Sequence, residues 1–206
     1  MDNMRSILLA ALAISSVAFA LPAVASAGTS DPGLATGDDQ AYLADSNGDP
    51  QNGSATTSGA LTLTGAATIS CSSVSNDSDY SDDGSGVVNS YSTSGCAVAG
   101  FPSCPVTVAP TNLGWFKRFV RAATSIFRVR INISISITFG AGTPTCPVPA
   151  GTYPLAGILS PAVSISGTTL TESFGTGSGS LSGPLGTATV DGTLTGAVPS
   201  GSQFVA

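Results

Sequence analysis

Two kinds of side chain in this sequence have the type and spacing to do chemistry: carboxylates and cysteines. In "DYSDDG", Asp79, Ser81 and Asp83 alternate and Gly84 stands sixth, which is how a calcium loop begins. The twelfth position is Ser90 where such a loop needs a bidentate Glu. A weak calcium site at Asp77, Asp79, Asp82 and Asp83 is the one cofactor expectation, and a plain solvated loop is the alternative. "DSNGDP" repeats the opening with Asp45, Asn47 and Asp49 but places Pro50 where the Gly belongs. Glu172 is the only Glu, and with Asp191 it makes one conceivable carboxylate pair if neighbouring strands bring the two together. The chain has no His, so Ser-His-Asp and Cys-His catalysis are excluded. The expectation is a protein that is not an enzyme.

The four cysteines are Cys71, Cys96, Cys104 and Cys146. Their even number, the lack of a CxxC spacing and the absence of His point to disulfides rather than to zinc. The favoured pairing is Cys71–Cys96 with Cys104–Cys146, because each pair lies on or beside candidate neighbouring strands. The rival is a tight Cys96–Cys104 loop with Cys71–Cys146.

Disulfides need an oxidising compartment, and the N-terminus reads as the route to one. "MDNMRS" carries a single Arg, Ile7 to Leu21 is apolar apart from two serines, and "ASA" ends at Ala27. This is the order of a cleaved export signal, with cleavage expected after Ala27 (after Ala20 is the alternative). No Cys follows the site and no second apolar span follows later, so the product is expected to be secreted in soluble form. Residues 28–58 are polar, acidic and Gly/Ser-rich and read as a flexible arm. Residues 59–206 read as one domain.

Removing residues 1–27 takes away Asp2 and Arg5 and leaves the net charge at −6. Helix formers are scarce, and short alternating segments are broken by 25 Gly and 13 Pro. That is the pattern of an all-β antiparallel sandwich. The strongest strand signal is residues 127–139: Phe127, Val129, Ile131, Ile133, Ile135, Ile137 and Phe139 fall on one face, with polar residues on the other. "ALTLTGAATISCS", "VVNSYSTSGC", "CPVTVAPTNLGW", "AVSISGTTLTESFG", "GSLSG" and "TATVDGTLTG" supply further strands. "VSNDSDYSDDGSG" reads as an acidic loop and "TCPVPAGTYPLAG" as a Pro-rich connection.

The order "GAATISCS", "STSGC", "CPVTVAPTNLGW", an alternating strand, a late Cys and a "GTLTG" tail resembles small exported bacterial proteins, loosely the alkane-oxidation activator-like secreted group. The resemblance covers roughly residues 59–196. It implies a disulfide-stapled β-sandwich, Ig-like or jelly-roll-like, and no catalytic residues.

One stretch stands apart. "WFKRFVRAATSIFRVR" holds Trp115, Phe116, Lys117, Arg118, Phe119, Arg121, Arg128 and Arg130, which is every basic residue except Arg5. As a helix over 115–127 it would be amphipathic, with aromatics on one arc and cations on the other. Such a helix would lie on anionic lipid or a cell-envelope surface, or pack as a lid. As a hairpin turning at "RAATS" it would put aromatics on both faces, and the resemblance favours this reading. The leading functional expectation is surface or ligand binding by this aromatic-basic segment. The alternatives are a purely structural or apolar-ligand-carrying sandwich and a calcium-dependent adhesin. Nucleic acid is not expected as a partner of an exported, net acidic chain with so small a basic footprint.

Overall fold

The alternating pattern at 127–139 sits inside one of the two longest strands, each of 14 residues. A computed structural model describes residues 31–141 and 146–206, so the export signal lies outside the described residues. Among the described residues there is no helix. The strands are β1 (Asp39–Gln40), β2 (Tyr42–Ala44), β3 (Gly53–Thr64), β4 (Thr68–Tyr80), β5 (Ser85–Val98), β6 (Val106–Pro110) and β7 (Trp115–Ala123). They continue with β8 (Ile126–Phe139), β9 (Gly151–Leu159), β10 (Ala162–Ser166), β11 (Thr169–Phe174), β12 (Ser180–Gly183), β13 (Gly186–Ala197) and β14 (Gln203–Val205).

Every ladder among the described residues is antiparallel, and several join strands that are consecutive in the chain. Among the non-local ladders, those of β13 with β3, β5 with β7 and β8 with β10 tie the body together. β13 lies against β3 from Thr189↔Thr64 to Gly196↔Thr57. β5 meets β7 over Val88↔Trp115 to Ser85↔Arg118. β8 takes β10 at Phe127 and Arg128. With β10–β11 and β11–β13, the pairings run in a closed circuit. The result is a sandwich-like antiparallel shell whose long edges are joined. Closure hides the unpaired N–H and C=O rows that would template association with another chain.

The interior is one cluster of apolar side chains that alternate inward along these strands, among them Leu61, Leu63, Ile69, Val74, Trp115, Phe119, Val129, Ile131, Ile135 and Leu194. Both favoured disulfides are present. Cys71 and Cys96 are register partners on β4 and β5, with Cα atoms 3.9 Å apart. Cys104–Cys146 ties the β5–β6 connection to the chain between β8 and β9.

The structure decides one open alternative and corrects three sequence expectations. Residues 115–127 adopt the favoured hairpin and not the helix: β7 and β8 pair as its two arms. The "acidic loop" is mostly strand, because β4 runs on to Tyr80 and β5 starts at Ser85, leaving a four-residue turn closed by Ser81 N–H donating to Ser85 O at 2.8 Å. Gly84 is needed there, since its φ is +75° and a Cβ would lie 1.8 Å from Ala41 O. The "Pro-rich connection" contains β9, in which Pro154 pairs with Ser136. β9 has a continuous ladder only with β8, the setting in which a missing N–H is tolerated. Finally, the acidic arm is docked. β1 pairs with β7, β2 pairs with β14, and Ala41 and Leu43 are buried in the core.

Candidate functional site: the basic stretch and the polar cluster beneath it

β7 inherits a strand's two-residue period, and the period decides the fate of each basic residue. Trp115, Lys117 and Phe119 point inward and are 1%, 3% and 3% exposed. Phe116 and Arg118 lie on the other face, partly covered. Trp115 packs against Tyr91, with ring centroids 5.1 Å apart, and its indole N–H donates to Thr111 O at 3.2 Å. Trp115, Phe119 and Lys117 are therefore not available to a membrane or envelope surface while the shell is closed.

The arginines are engaged too. Arg118 and Arg130 are direct partners across the β7–β8 ladder, an arrangement of like charges that is unfavourable by itself. The arm supplies the counter-charge. Arg118 makes a two-pronged contact with Asp31, Arg121 Nη2 lies 2.6 Å from Asp39 Oδ2, and Arg130 Nη1 lies 3.9 Å from Asp38 Oδ2. The Arg118 hydrogen bond holds the Asp31 carboxyl below its ordinary range, and Asp31 in turn raises Arg118. Arg128 donates instead to Ser160 O at 2.8 Å and Gly177 O at 3.2 Å. The basic concentration is thus the seat for an acidic segment of the same chain.

Lys117 has the most unusual position. Its stem crosses β5 at Gly86, where a Cβ would come within 2.9 Å of Lys117 Cε. Its Nζ donates to Ser78 Oγ on β4 at 2.5 Å and stands 5.6 Å from the Phe119 ring centre. Glu172, on β11 and 2% exposed, accepts hydrogen bonds from the Thr57 hydroxyl at 3.4 Å and from the Asn76 side chain. Asn76 and Ser78 both face inward on β4. Burial pushes the Lys117 amine down, against the pull of Glu172, Asp79 and Asp77. Burial likewise pushes the Glu172 carboxyl up, against Lys117, Asn76 and Thr57. Loss of water outweighs the neighbouring charges and hydrogen bonds at both groups, so both lean toward their neutral forms. The chain therefore carries, in the core of an otherwise apolar shell, an amine, a carboxyl, an amide and two hydroxyls.

Sequence reasoning missed this cluster. It offered Asp191 as the conceivable partner of Glu172. Asp191 is exposed on β13 while Glu172 faces the core, so the two carboxylates lie on opposite faces. The available signal was the period itself, which puts Lys117 between Trp115 and Phe119 on one face.

The suggested calcium residues are dispersed. Asp77 accepts from Thr56 Oγ1 at 3.0 Å and Asp79 from Asn89 Nδ2 at 2.7 Å, both on β4. Asp83 accepts from Ser85 N and Oγ within the turn, which holds its carboxyl low. Asp82 is placed by its backbone N–H donating to Asn52 Oδ1 at 3.0 Å. Among the described residues no three His, Cys, Asp or Glu side chains converge. The best-enclosed interior cavity, bordered by Leu61, Asn76, Tyr91, Trp115 and Ile131, is only ≈ 30 Å³, enough for a water but not for a lipid.

Comparison of the chain with protein-family models, with curated proteins and with solved structures finds no match in any of the three.

Proposed function

We propose that this chain is an exported, non-enzymatic protein of the cell envelope or medium whose role is structural: a rigid, disulfide-stapled module. The observation that carries the reading is the inward register of β7. It commits Trp115, Lys117 and Phe119 to the core and leaves Arg118, Arg121 and Arg130 to acids of the same chain. The residues that would have made a lipid- or surface-binding face are spent on internal contacts. Among the described residues, the enclosed cavity beside Trp115 has room for a water and not for an apolar cargo. Two disulfides fit an oxidising compartment, and the charge–apolar–small order of residues 1–27 supports export. No described helix is long and apolar enough to cross a membrane. The resemblance to small exported bacterial proteins agrees with a non-catalytic part.

The test is co-sedimentation of the mature protein with vesicles of phosphatidylglycerol or of phosphatidylcholine at low and high salt. The structural reading predicts that the protein stays in the supernatant throughout. Pelleting with anionic vesicles at low salt, reversed by high salt, would restore the surface-binding reading.

A further inference from the structure

Residues 31–44 dock on the shell without being part of its circuit. The closed circuit of ladders includes neither β1 nor β2: β1 lies on the edge of β7, and β2 pairs with β14 in a separate two-stranded sheet. Lifting the arm away therefore breaks no ladder of the circuit, but it leaves a seat with three unmet demands. The first is an edge. The β5 ladder on β7 ends at Ser85↔Arg118, and beyond it the arm takes over: Gln40 and Asp39 pair with Val120 and Arg121, and Ala41 N–H donates to Phe119 O at 3.1 Å. The second is charge. Arg118 and Arg130 are partners across the β7–β8 ladder and need the carboxylates of Asp31 and Asp38. The third is apolar. Ala41 and Leu43 belong to the core, with Leu43 opposite Phe204, whose ring lies 5.1 Å from that of Phe119. Edge, charge and apolar slot together fit a short extended segment with acids spaced as in this arm. Residues 31–44 hold three acids and no cation, and all three acids meet arginines of β7 and β8.

We infer that two copies of this chain exchange arms, each seating residues 31–44 on the β7 edge of the other. The contacts at the seat are the same whichever copy supplies the arm, so the connection between arm and shell, residues 45–52, decides the outcome. In the docked chain this connection doubles back. Ala44 bridges Pro50, Gln51 N–H donates to Leu43 O at 2.9 Å, and Gly48 takes a φ of +89°. The reversal is held by the Asp45 carboxylate, which accepts from Asn47 N–H and Asp49 N–H, and by one bond from the Gln203 side chain to Asp45 O. No residue of 45–50 is buried. The reversal also has costs. It brings the acids Asp45 and Asp49 into one tight turn and needs a left-handed backbone angle at Gly48, and Pro50 biases Asp49 toward extended backbone. A short, constrained connection of this kind favours exchange over self-docking. Straightened, its eight residues reach about 26–29 Å, a span suited to two shells lying side by side. Reciprocal exchange fills both seats at once, leaves neither β7 edge open and closes as a symmetric dimer. The inference deepens the structural reading by naming the partner of the module: a second copy of itself.

Mixing two single-cysteine variants tests this. Asp39→Cys and Arg121→Cys change register partners whose side chains meet in a half-exposed ion pair. The two mature variants are mixed over a range of concentrations, oxidised in air, and read by non-reducing electrophoresis and peptide mapping. Exchange predicts a heterodimer joining residue 39 of one copy to residue 121 of the other, in an amount that rises with protein concentration. The chain carrying both substitutions reports on self-docking by closing the same bond internally. Deleting residues 46–49 removes the room to double back, so that variant should shift to twice the chain mass in light scattering with its arm still protected from chymotrypsin. The mixing experiment decides alone if the deletion variant folds poorly. A 39–121 bond found inside single chains and never between mixed copies overturns the inference. No such bond in either setting overturns both the docking and the exchange. These outcomes are read independently of vesicle binding, so failure of exchange and failure of the structural reading are told apart.

Discussion

The docked arm can be tested by asking what holds it. Two contributions compete: the ion pairs from Asp31, Asp38 and Asp39 to the β7–β8 arginines, and the burial of Ala41 and Leu43. The Arg118–Asp31 contact is two-pronged, but the Asp31 side chain is 44% exposed. Pairs of this kind contribute about 0.2–1 kcal/mol and weaken in salt. Leu43 is 2% exposed within the core cluster, and truncating such a residue costs about 2–5 kcal/mol. Burial should therefore win by a few fold. We predict that Leu43→Ala lowers urea stability by about 2–4 kcal/mol and opens the arm to chymotrypsin at Tyr42. Arg118→Met should cost about 1 kcal/mol or less and leave the arm protected. About 1 M NaCl, where the screening length falls to ~3 Å, should also leave it protected. The reasoning is refuted if salt alone exposes the arm, or if the Arg118 variant is as unstable as the Leu43 variant.

Three further expectations follow from the same structure. Reducing Cys71–Cys96, which closes 25 residues, should cost about 3.5 kcal/mol, and reducing Cys104–Cys146, which closes 42, about 4 kcal/mol, by loop entropy in the unfolded chain; single Cys-pair→Ser variants in urea melts measure both, and a zero cost for either would contradict the loop argument. Asp31, Asp45 and Asp83 have carboxyls held below their ordinary values, so the folded state binds fewer protons there than the unfolded chain. Their contribution is complete above the ordinary carboxylate range and is lost as pH falls through the lowered values; thermal melts should show midpoints falling as the solution is acidified below that range, and Asp31→Asn should flatten part of the slope. Gly84→Ala should destabilise and release the arm together, because the added methyl strikes Ala41 O as well as straining a positive φ; a variant with an unchanged melting temperature and an unchanged proteolysis pattern would argue against that packing.

How much of this was legible in the sequence depends on which force fixed each element. β8 could be read because one-sided burial imprints a strict two-residue period on residues 127–139. The disulfide pairing could be read because both pairs lie on or beside strands that alternate visibly. β4 past Val74 could not. Its inward positions are Asn76, Ser78 and Tyr80, so the usual apolar signal is replaced by hydrogen-bonding groups serving Glu172 and Lys117. The arm could not be read either. β1 and β2 are two and three residues long, and their order comes from partners more than 75 positions away in β7 and β14. The basic stretch was the hardest case because helix and hairpin both separate some aromatics from some cations. Tertiary contacts decided it: the β5 ladder at 85–88 and the β8 ladder at 126–131 hold Trp115–Ala123 extended on both edges.

The inward register of β7 is the claim on which the rest stands, and the single Trp reports on it directly. The measurement is Trp115 emission of the native mature protein, with and without a water-soluble quencher such as iodide. A blue emission that iodide does not quench until the protein is unfolded is the predicted result. A red, readily quenched emission would place Trp115 in water, shift β7 by one residue and turn Lys117 out of the core.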